Sequence, residues 1–160
     1  MMNNELNTRE WFGIELRERM ADAKIKAADL CKFCDVTRAA MSQYIYGHSF
    51  PDLWRLVLIA ERLNCSVNDL LGYAEFDEEF ARSASKTFPG ENHFAEHLAI
   101  RIVRRMEQLG YDYESLANAT GISLDTIDRY FGRWPELPRT DKFFKICEAL
   151  DCTPSEPLGY

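Results

Sequence analysis

The chain has 160 residues, of which 46% are hydrophobic and 28% are charged, and its formal net charge is −7. This apolar fraction predicts a folded globular protein, and the lack of about 18 consecutive apolar residues argues against a membrane span. The polar amino terminus has no apolar secretory run, so we expect a cytoplasmic protein.

An internal repeat divides the chain, because residues 111–160 follow the apolar pattern of residues 25–73. Leu30 matches Leu116 at a spacing of 86, whereas Cys65 matches Cys152 at a spacing of 87. One extra residue therefore lies in the turn before the fourth apolar block of the second copy. A repeat of this length is one folding unit copied. The predicted organisation is two domains, residues 1–74 and 93–160, with an acidic linker at residues 75–92.

Helical periodicity predicts five helices in each copy. Thr37 and Asp52 are N-cap residues for the third and fourth helices of the first copy, and Gly47 ends the third. In the first copy the predicted helices cover residues 11–22, 27–33, 38–46, 53–63 and a short segment opening at 66. In the second copy they cover residues 94–109, 113–119, 124–131, 141–150 and a short turn at 153–156. The fold class is therefore all-α.

Five cysteines raise the question of a metal or redox site, because Cys31 and Cys34 form a C-x-x-C pair. No second pair or nearby histidine pair supplies the two further ligands that tetrahedral zinc requires. Cys34 alone matches a polar residue, Thr120, and the other four cysteines fall on apolar positions of the repeat. We predict structural thiols with Cys31 facing the core, no metal and no cofactor.

Enzymatic motifs are not found in the sequence. His93 and His97 are separated by four positions but lack the glutamate placement of an H-E-x-x-H zinc motif. Neither a glycine-rich phosphate loop nor a nucleophile elbow is present. A non-enzymatic protein is expected.

The most specific pattern of the first copy comprises Leu30, Val36-Thr37, Met41-Ser42, Gly47, Ala60, Leu63 and Leu70-Leu71-Gly72. These residues resemble the Cro and phage-repressor (XRE-type) helix-turn-helix family. The resemblance covers nearly all of residues 12–73 and, more weakly, residues 94–160. It implies two tandem five-helix, lambda-repressor-like domains, the second degenerate, whose third helix can enter a major groove about 12 Å wide.

That resemblance also implies a DNA-contacting surface on the first copy. Arg38 can pair with guanine and Gln43 with adenine. Ala27 departs from the family, which usually has a phosphate-binding Gln there. Solvated helix surface is the alternative interpretation of each polar side chain. The implied DNA-binding set is Lys26, Ala27, Thr37, Arg38, Ala39, Ser42, Gln43, Tyr46 and His48.

The second copy carries different chemistry at the same positions. Asp125 and Asp128 would face a polyanion, so we expect DNA reading to be lost there. Trp134 stands in the turn with the extra residue and is of a type enriched at protein interfaces, whereas Tyr130 and Phe131 match core positions. The possible second DNA or protein contact surface comprises Leu124, Asp125, Asp128, Arg129, Arg133 and Trp134.

The leading functional hypothesis is a sequence-specific transcriptional regulator, a repressor that binds a double-stranded DNA operator through the first domain. The second domain would then form a homodimer or bind a protein partner. Two alternatives stay open. Both domains could contact DNA as a covalent pseudo-dimer over two half-sites. The scaffold could instead bind only protein, as in an antirepressor or a phage-type inhibitor, which the acidic balance of the chain and the missing phosphate-binding Gln favour.

Overall fold

The computed structural model describes residues 8–73 and 91–159, which belong to two compact units. The predicted linker lies almost wholly outside these residues. No helix within the described ranges is long and apolar enough to cross a membrane.

The first unit has five helices around one apolar core. They are α1 (Thr8–Ala23), α2 (Ala27–Cys34), α3 (Arg38–Ile45), α4 (Leu53–Arg62) and α5 (Val67–Leu71). Each fully buried large apolar side chain contributes about 1.5–3 kcal/mol relative to exposure. The fully buried core side chains include Phe12, Leu16, Leu30, Met41, Leu56, Ile59 and Leu70.

The second unit repeats this order. Its helices are α6 (Glu91–Leu109), α7 (Tyr113–Thr120), α8 (Leu124–Phe131), α9 (Thr140–Ala149) and α10 (Ser155–Leu158). α3 and α8 have eight residues each, and the extra residue of the second copy lies in the turn between α8 and α9. The predicted all-α architecture of two five-helix units is confirmed, although α6 begins at Glu91, inside the segment assigned to the linker.

The turn before the third helix has the same construction in both units. Asp35 ends α2 in the left-handed region at φ 52°, and Gly121 ends α7 at φ 72°. The hydroxyl of Thr37 accepts a hydrogen bond from the backbone N–H of Ala40 at 3.1 Å. Ser123 does the same for Thr126 at 3.3 Å. The N-cap predicted at Thr37 is confirmed, and the two caps fix where α3 and α8 begin.

The end of α3 packs directly on α1 through two glycines. A Cβ atom added to Gly13 would lie 2.8 Å from the Ile45 carbonyl oxygen, and one added to Gly47 would lie 2.9 Å from the Glu10 Cα. Such distances are too short for any side chain, so only glycine permits this approach. The matching positions of the second unit are Ala99 and Arg133. The close approach cannot be repeated there.

The cysteines are free, and their burial differs from the prediction. Cys34 is fully buried, whereas Cys31 is only half-buried, so the expectation that Cys31 faces the core was wrong. Cys34 lies four residues after Leu30 and therefore shares its buried stripe on α2. Cys147 is buried as predicted, and Cys65 is half-buried. No cluster of metal-ligating side chains occurs among the residues that the structure describes.

We expect Gly47→Ala to destabilise the first unit far more than Gly121→Ala destabilises the second. Both glycines have a φ near +73°, so both substitutions carry a backbone strain of about 1 kcal/mol. A Cβ at residue 121 meets nothing within 4 Å, whereas one at Gly47 clashes with α1 and adds about 1–3 kcal/mol. Urea unfolding followed by circular dichroism measures the difference. Equal losses would contradict the tight packing of α3 on α1.

We expect Cys34 and Cys147 to resist alkylation in the native chain at pH 8, while Cys31 reacts. Burial raises the pKa of Cys34 to about 11 and that of Cys147 well above its ordinary value, so few thiolates form there. Iodoacetamide labelling followed by peptide mass spectrometry measures each site, and the urea-unfolded chain is the control. Cys34 labelling as fast as Cys31 would contradict the assigned burial.

Candidate nucleic-acid interface

α3 presents one continuous outward face. Arg38, Ala39 and Gln43 are exposed on it, and Ser42 is half-buried between them. Tyr46 follows at the end of the helix with 64% of its surface exposed. Their spacing along the chain puts these five residues on the same side of a helix, opposite the buried Met41. The face therefore offers a guanidinium, an amide, a hydroxyl and a phenol to a ligand.

An open groove of about 420 Å³ runs beside this face. Lys26 and Ala27 line it from the start of α2, and Arg38, Ser42 and Tyr46 line it from α3. The small side chain of Ala27 leaves the first turn of α2 accessible. Backbone N–H groups at a helix start and the two nearby cations, Lys26 and Arg38, make this groove suitable for a phosphate.

Two of the predicted residues also have roles within the fold. Thr37 uses one lone pair of its hydroxyl oxygen to cap α3, so the hydroxyl hydrogen and the second lone pair remain available. His48 is exposed beyond the end of α3, and its backbone carbonyl accepts a hydrogen bond from Arg9 at 3.4 Å. His48 does not line the groove that contains Lys26 and Arg38.

The corresponding face of α8 is apolar at its start and acidic along its length. Leu124, which takes the position of Arg38, is 50% exposed, and Asp125 and Asp128 are exposed. Arg129, at the position of Gln43, lies 3.9 Å from a carboxylate oxygen of Glu136. The one cation of this face is thus shared with an acidic neighbour.

The groove beside α8 has the opposite charge from its counterpart in the first unit. Glu107, Asp112 and Glu114 line it together with Leu124. The backbone N–H of Ser115 donates to Asp112 at 2.7 Å, and this hydrogen bond keeps the pKa of Asp112 below its usual value. The carboxylate is therefore ionised at neutral pH. A DNA phosphate entering this groove would meet like charges.

The end of the third helix is held differently in the two units. In the first unit, the guanidinium of Arg17 donates to the Ile45 carbonyl at 2.6 Å. In the second unit the hydroxyl of Tyr113 donates to the equivalent carbonyl, that of Phe131, at 2.7 Å. Burial raises the pKa of Tyr113, and the nearby carboxylate of Asp128 adds to the shift.

Tyr113 matters for the interface because it occupies the position of Ala27, at the first turn of its helix. Its bulky side chain lines the groove where Ala27 stands in the first unit, and its hydroxyl is already committed to a carbonyl. The sequence prediction missed both Tyr113 and Arg17. The signal was present in the repeat, because Arg17 and Ala27 of the first copy match Val103 and Tyr113 of the second.

The aromatic residues after α8 separate into two classes. Tyr130 and Phe131 are buried, with 6% and 5% exposure, as their match to core positions predicted. Trp134 is 80% exposed, and the Arg133 guanidinium lies 5.6 Å from its ring centre. Arg133 and Trp134 line a groove that does not include Leu124. The predicted contact surface of the second unit therefore spans two adjoining grooves, which share Val103, Glu107 and Tyr113.

Comparison with known proteins tests the predicted family. A family model, the Cro/C1-type HTH DNA-binding domain, matches residues 15–75 and again residues 101–160. A solved structure, the apo form of the competence regulator ComR from Streptococcus vestibularis, aligns with 96% of this chain and 67% of its own at 16% identity and a TM-score of 0.39. No curated protein sequence matches significantly. Since the two family matches together cover most of the chain, the protein belongs to the Cro/C1-type helix-turn-helix DNA-binding family and carries two tandem copies of its domain.

Proposed function

We propose that the protein is a sequence-specific repressor in which α3 of the first unit reads the major groove of an operator. In this proposal Arg38 and Gln43 contact base edges, and Thr37, Ala39 and Ser42 lie against bases or the backbone. Lys26, the first turn of α2 at Ala27, Tyr46 and His48 contact phosphates. The second unit does not read DNA and instead joins two chains.

The contrast between equivalent grooves carries this proposal. Lys26 and Arg38 line the groove of the first unit, whereas Asp112 and Leu124 hold the matching positions in the second. Both units have the same order of five helices, so the main difference at these matching positions is in surface chemistry. Since phosphate contacts supply most of the sequence-independent affinity, only the first unit has a surface that a DNA backbone can approach favourably.

One reading unit per chain supports the proposal of a homodimer. A single third helix covers only one half-site, and family members of this kind bind two half-sites about one helical turn apart. Two chains related by a two-fold axis supply two copies of α3. Occupancy of an operator that overlaps a promoter then represses transcription by excluding the polymerase.

A second candidate is a protein-binding module, such as an antirepressor, that does not read DNA. The acidic groove at Glu107, Asp112 and Glu114 and the exposed Trp134 favour it, because both suit a protein surface better than a phosphate backbone. The two candidates differ in one observable. The repressor binds duplex DNA, and its log K falls with log salt with a slope of several units. The protein-binding module binds no duplex DNA even at low salt.

We expect Arg38→Ala and Gln43→Ala each to weaken operator binding by about 10- to 100-fold, because a bidentate base contact contributes about 1–3 kcal/mol. The operator is first obtained by selecting random duplexes with the full chain, and affinities are then measured by gel shift.

Arg129→Ala is the matched control, since it removes an arginine at the position of Gln43 in the second unit. It should leave the affinity unchanged. An equal loss from Arg129→Ala would favour the arrangement in which both units contact DNA and would contradict the proposed division of roles.

We expect Lys26→Ala to weaken binding to operator and to random duplex by the same factor. Removing one phosphate contact should lower the slope of log K against log salt by about 1. Fluorescence anisotropy at several salt concentrations measures both quantities. Arg62→Ala, an exposed cation on α4 outside the groove, is the control and should keep the slope unchanged. A slope unaffected by Lys26→Ala would remove Lys26 from the interface.

A further inference from the structure

The outer side of α6 carries an acidic, an apolar and a basic residue in line. Glu96, Ile100 and Arg104 recur every fourth residue, so they form one ridge along the helix. All three are exposed, and Ile100 has 57% of its surface in solvent. The buried stripe of α6 at Leu98, Ile102 and Met106 faces the opposite way. We call Glu96, Ile100 and Arg104 the α6 ridge.

A groove of about 580 Å³ runs beside the α6 ridge. The ridge forms one wall together with Val103, and Trp134 in the turn after α8 forms the other. In the first unit the equivalent turn is seated on α1 through Gly13 and Gly47, and the matching Ala99 and Arg133 do not permit that contact. The indole of Trp134 is exposed and lines the same groove as Ile100.

We propose that the α6 ridge and Trp134 form a two-fold interface with a second copy of this chain. The inference rests on the proposed function, in which the second unit joins two chains, and it names the surface that does so. The partner is identified as a second copy because the charges of the α6 ridge complement those of the same ridge on another copy.

The self-complementarity follows from helix geometry. When two helices cross at about 50°, the ridges of every fourth residue lie parallel and interlock, which is the commonest class of helix packing. With the two-fold axis at Ile100, residues equally far on either side of it meet. Glu96 then faces Arg104 of the second copy, and Arg104 faces Glu96 of the second copy. Two ion pairs flank a centre made by both copies of Ile100, Val103 and Trp134, with the Arg133 guanidinium over the Trp134 ring.

The first unit provides an internal comparison. Its matching ridge on α1 is Glu10, Ile14 and Glu18, so the basic end of the α6 ridge is acidic there. The same two-fold arrangement of α1 would oppose carboxylates at both ends. Like charges across an interface are unfavourable, so the complementary pattern is specific to the second unit.

Sedimentation velocity of the full chain without DNA tests this interface. We expect a dimer at micromolar concentration, and each of the variants Arg104→Glu and Glu96→Arg should raise the dissociation constant at least tenfold.

The first variant leaves only acids on the ridge and the second only bases. An equimolar mixture of the two should therefore form a heterodimer with near wild-type stability, as should the double variant as a homodimer. Trp134→Ala should also favour the monomer.

Lys145→Glu and Glu148→Arg make the same charge changes at exposed positions of α9 and should leave the dimer intact. A monomeric wild-type chain would overturn the proposal, as would a dimer insensitive to both single variants. A mixture that stays monomeric would also overturn it, because reciprocal pairing requires recovery. A chain that dimerises as expected but binds no duplex DNA would contradict the reading function of α3 and leave this interface standing.

Discussion

The packing of the third helix against the first is the constraint on which each unit depends. In the first unit Gly13 and Gly47 allow the backbones of α1 and the end of α3 to approach closely, and Arg17 donates to the last helical turn at the Ile45 carbonyl. This contact fixes the end of α3, while the Thr37 cap fixes its beginning. A helix held at both ends can present the side chains between them as a rigid surface, which recognition of a rigid duplex requires.

The second unit meets the same constraint with different residues. Tyr113 donates to the equivalent carbonyl, so the backbone group remains satisfied without an arginine. The exchange of Arg17 for Tyr113 as hydrogen-bond donor is accompanied by two differences outside the core. The first turn of α7 carries a phenol in place of a methyl group, and Trp134 in the turn after α8 is exposed beside α6. The exchanged hydrogen bond thus accompanies a change in the surfaces that the unit exposes.

The two units also differ in where their charged side chains lie. The two copies differ little in total, with 9 basic and 10 acidic side chains in residues 1–74 against 8 and 11 in residues 93–160. Their placement differs much more, because the groove beside α3 contains Lys26 and Arg38 whereas the groove beside α8 contains three carboxylates. Local arrangement therefore matters more than net charge for what each unit can bind.

The sequence alone determined the all-α class, the duplication and the helix boundaries to within a few residues, because periodicity and caps such as Thr37 and Asp52 are local signals. It also predicted the contrast between Arg38 and Leu124, since positions in a repeat can be compared directly. Only the tertiary structure decided that Cys34 rather than Cys31 is buried, that Tyr113 replaces Arg17, and that Trp134 stands in solvent beside Ile100. Those outcomes depend on which residues from separate helices meet, and distances across a core are not encoded in the spacing of any single helix.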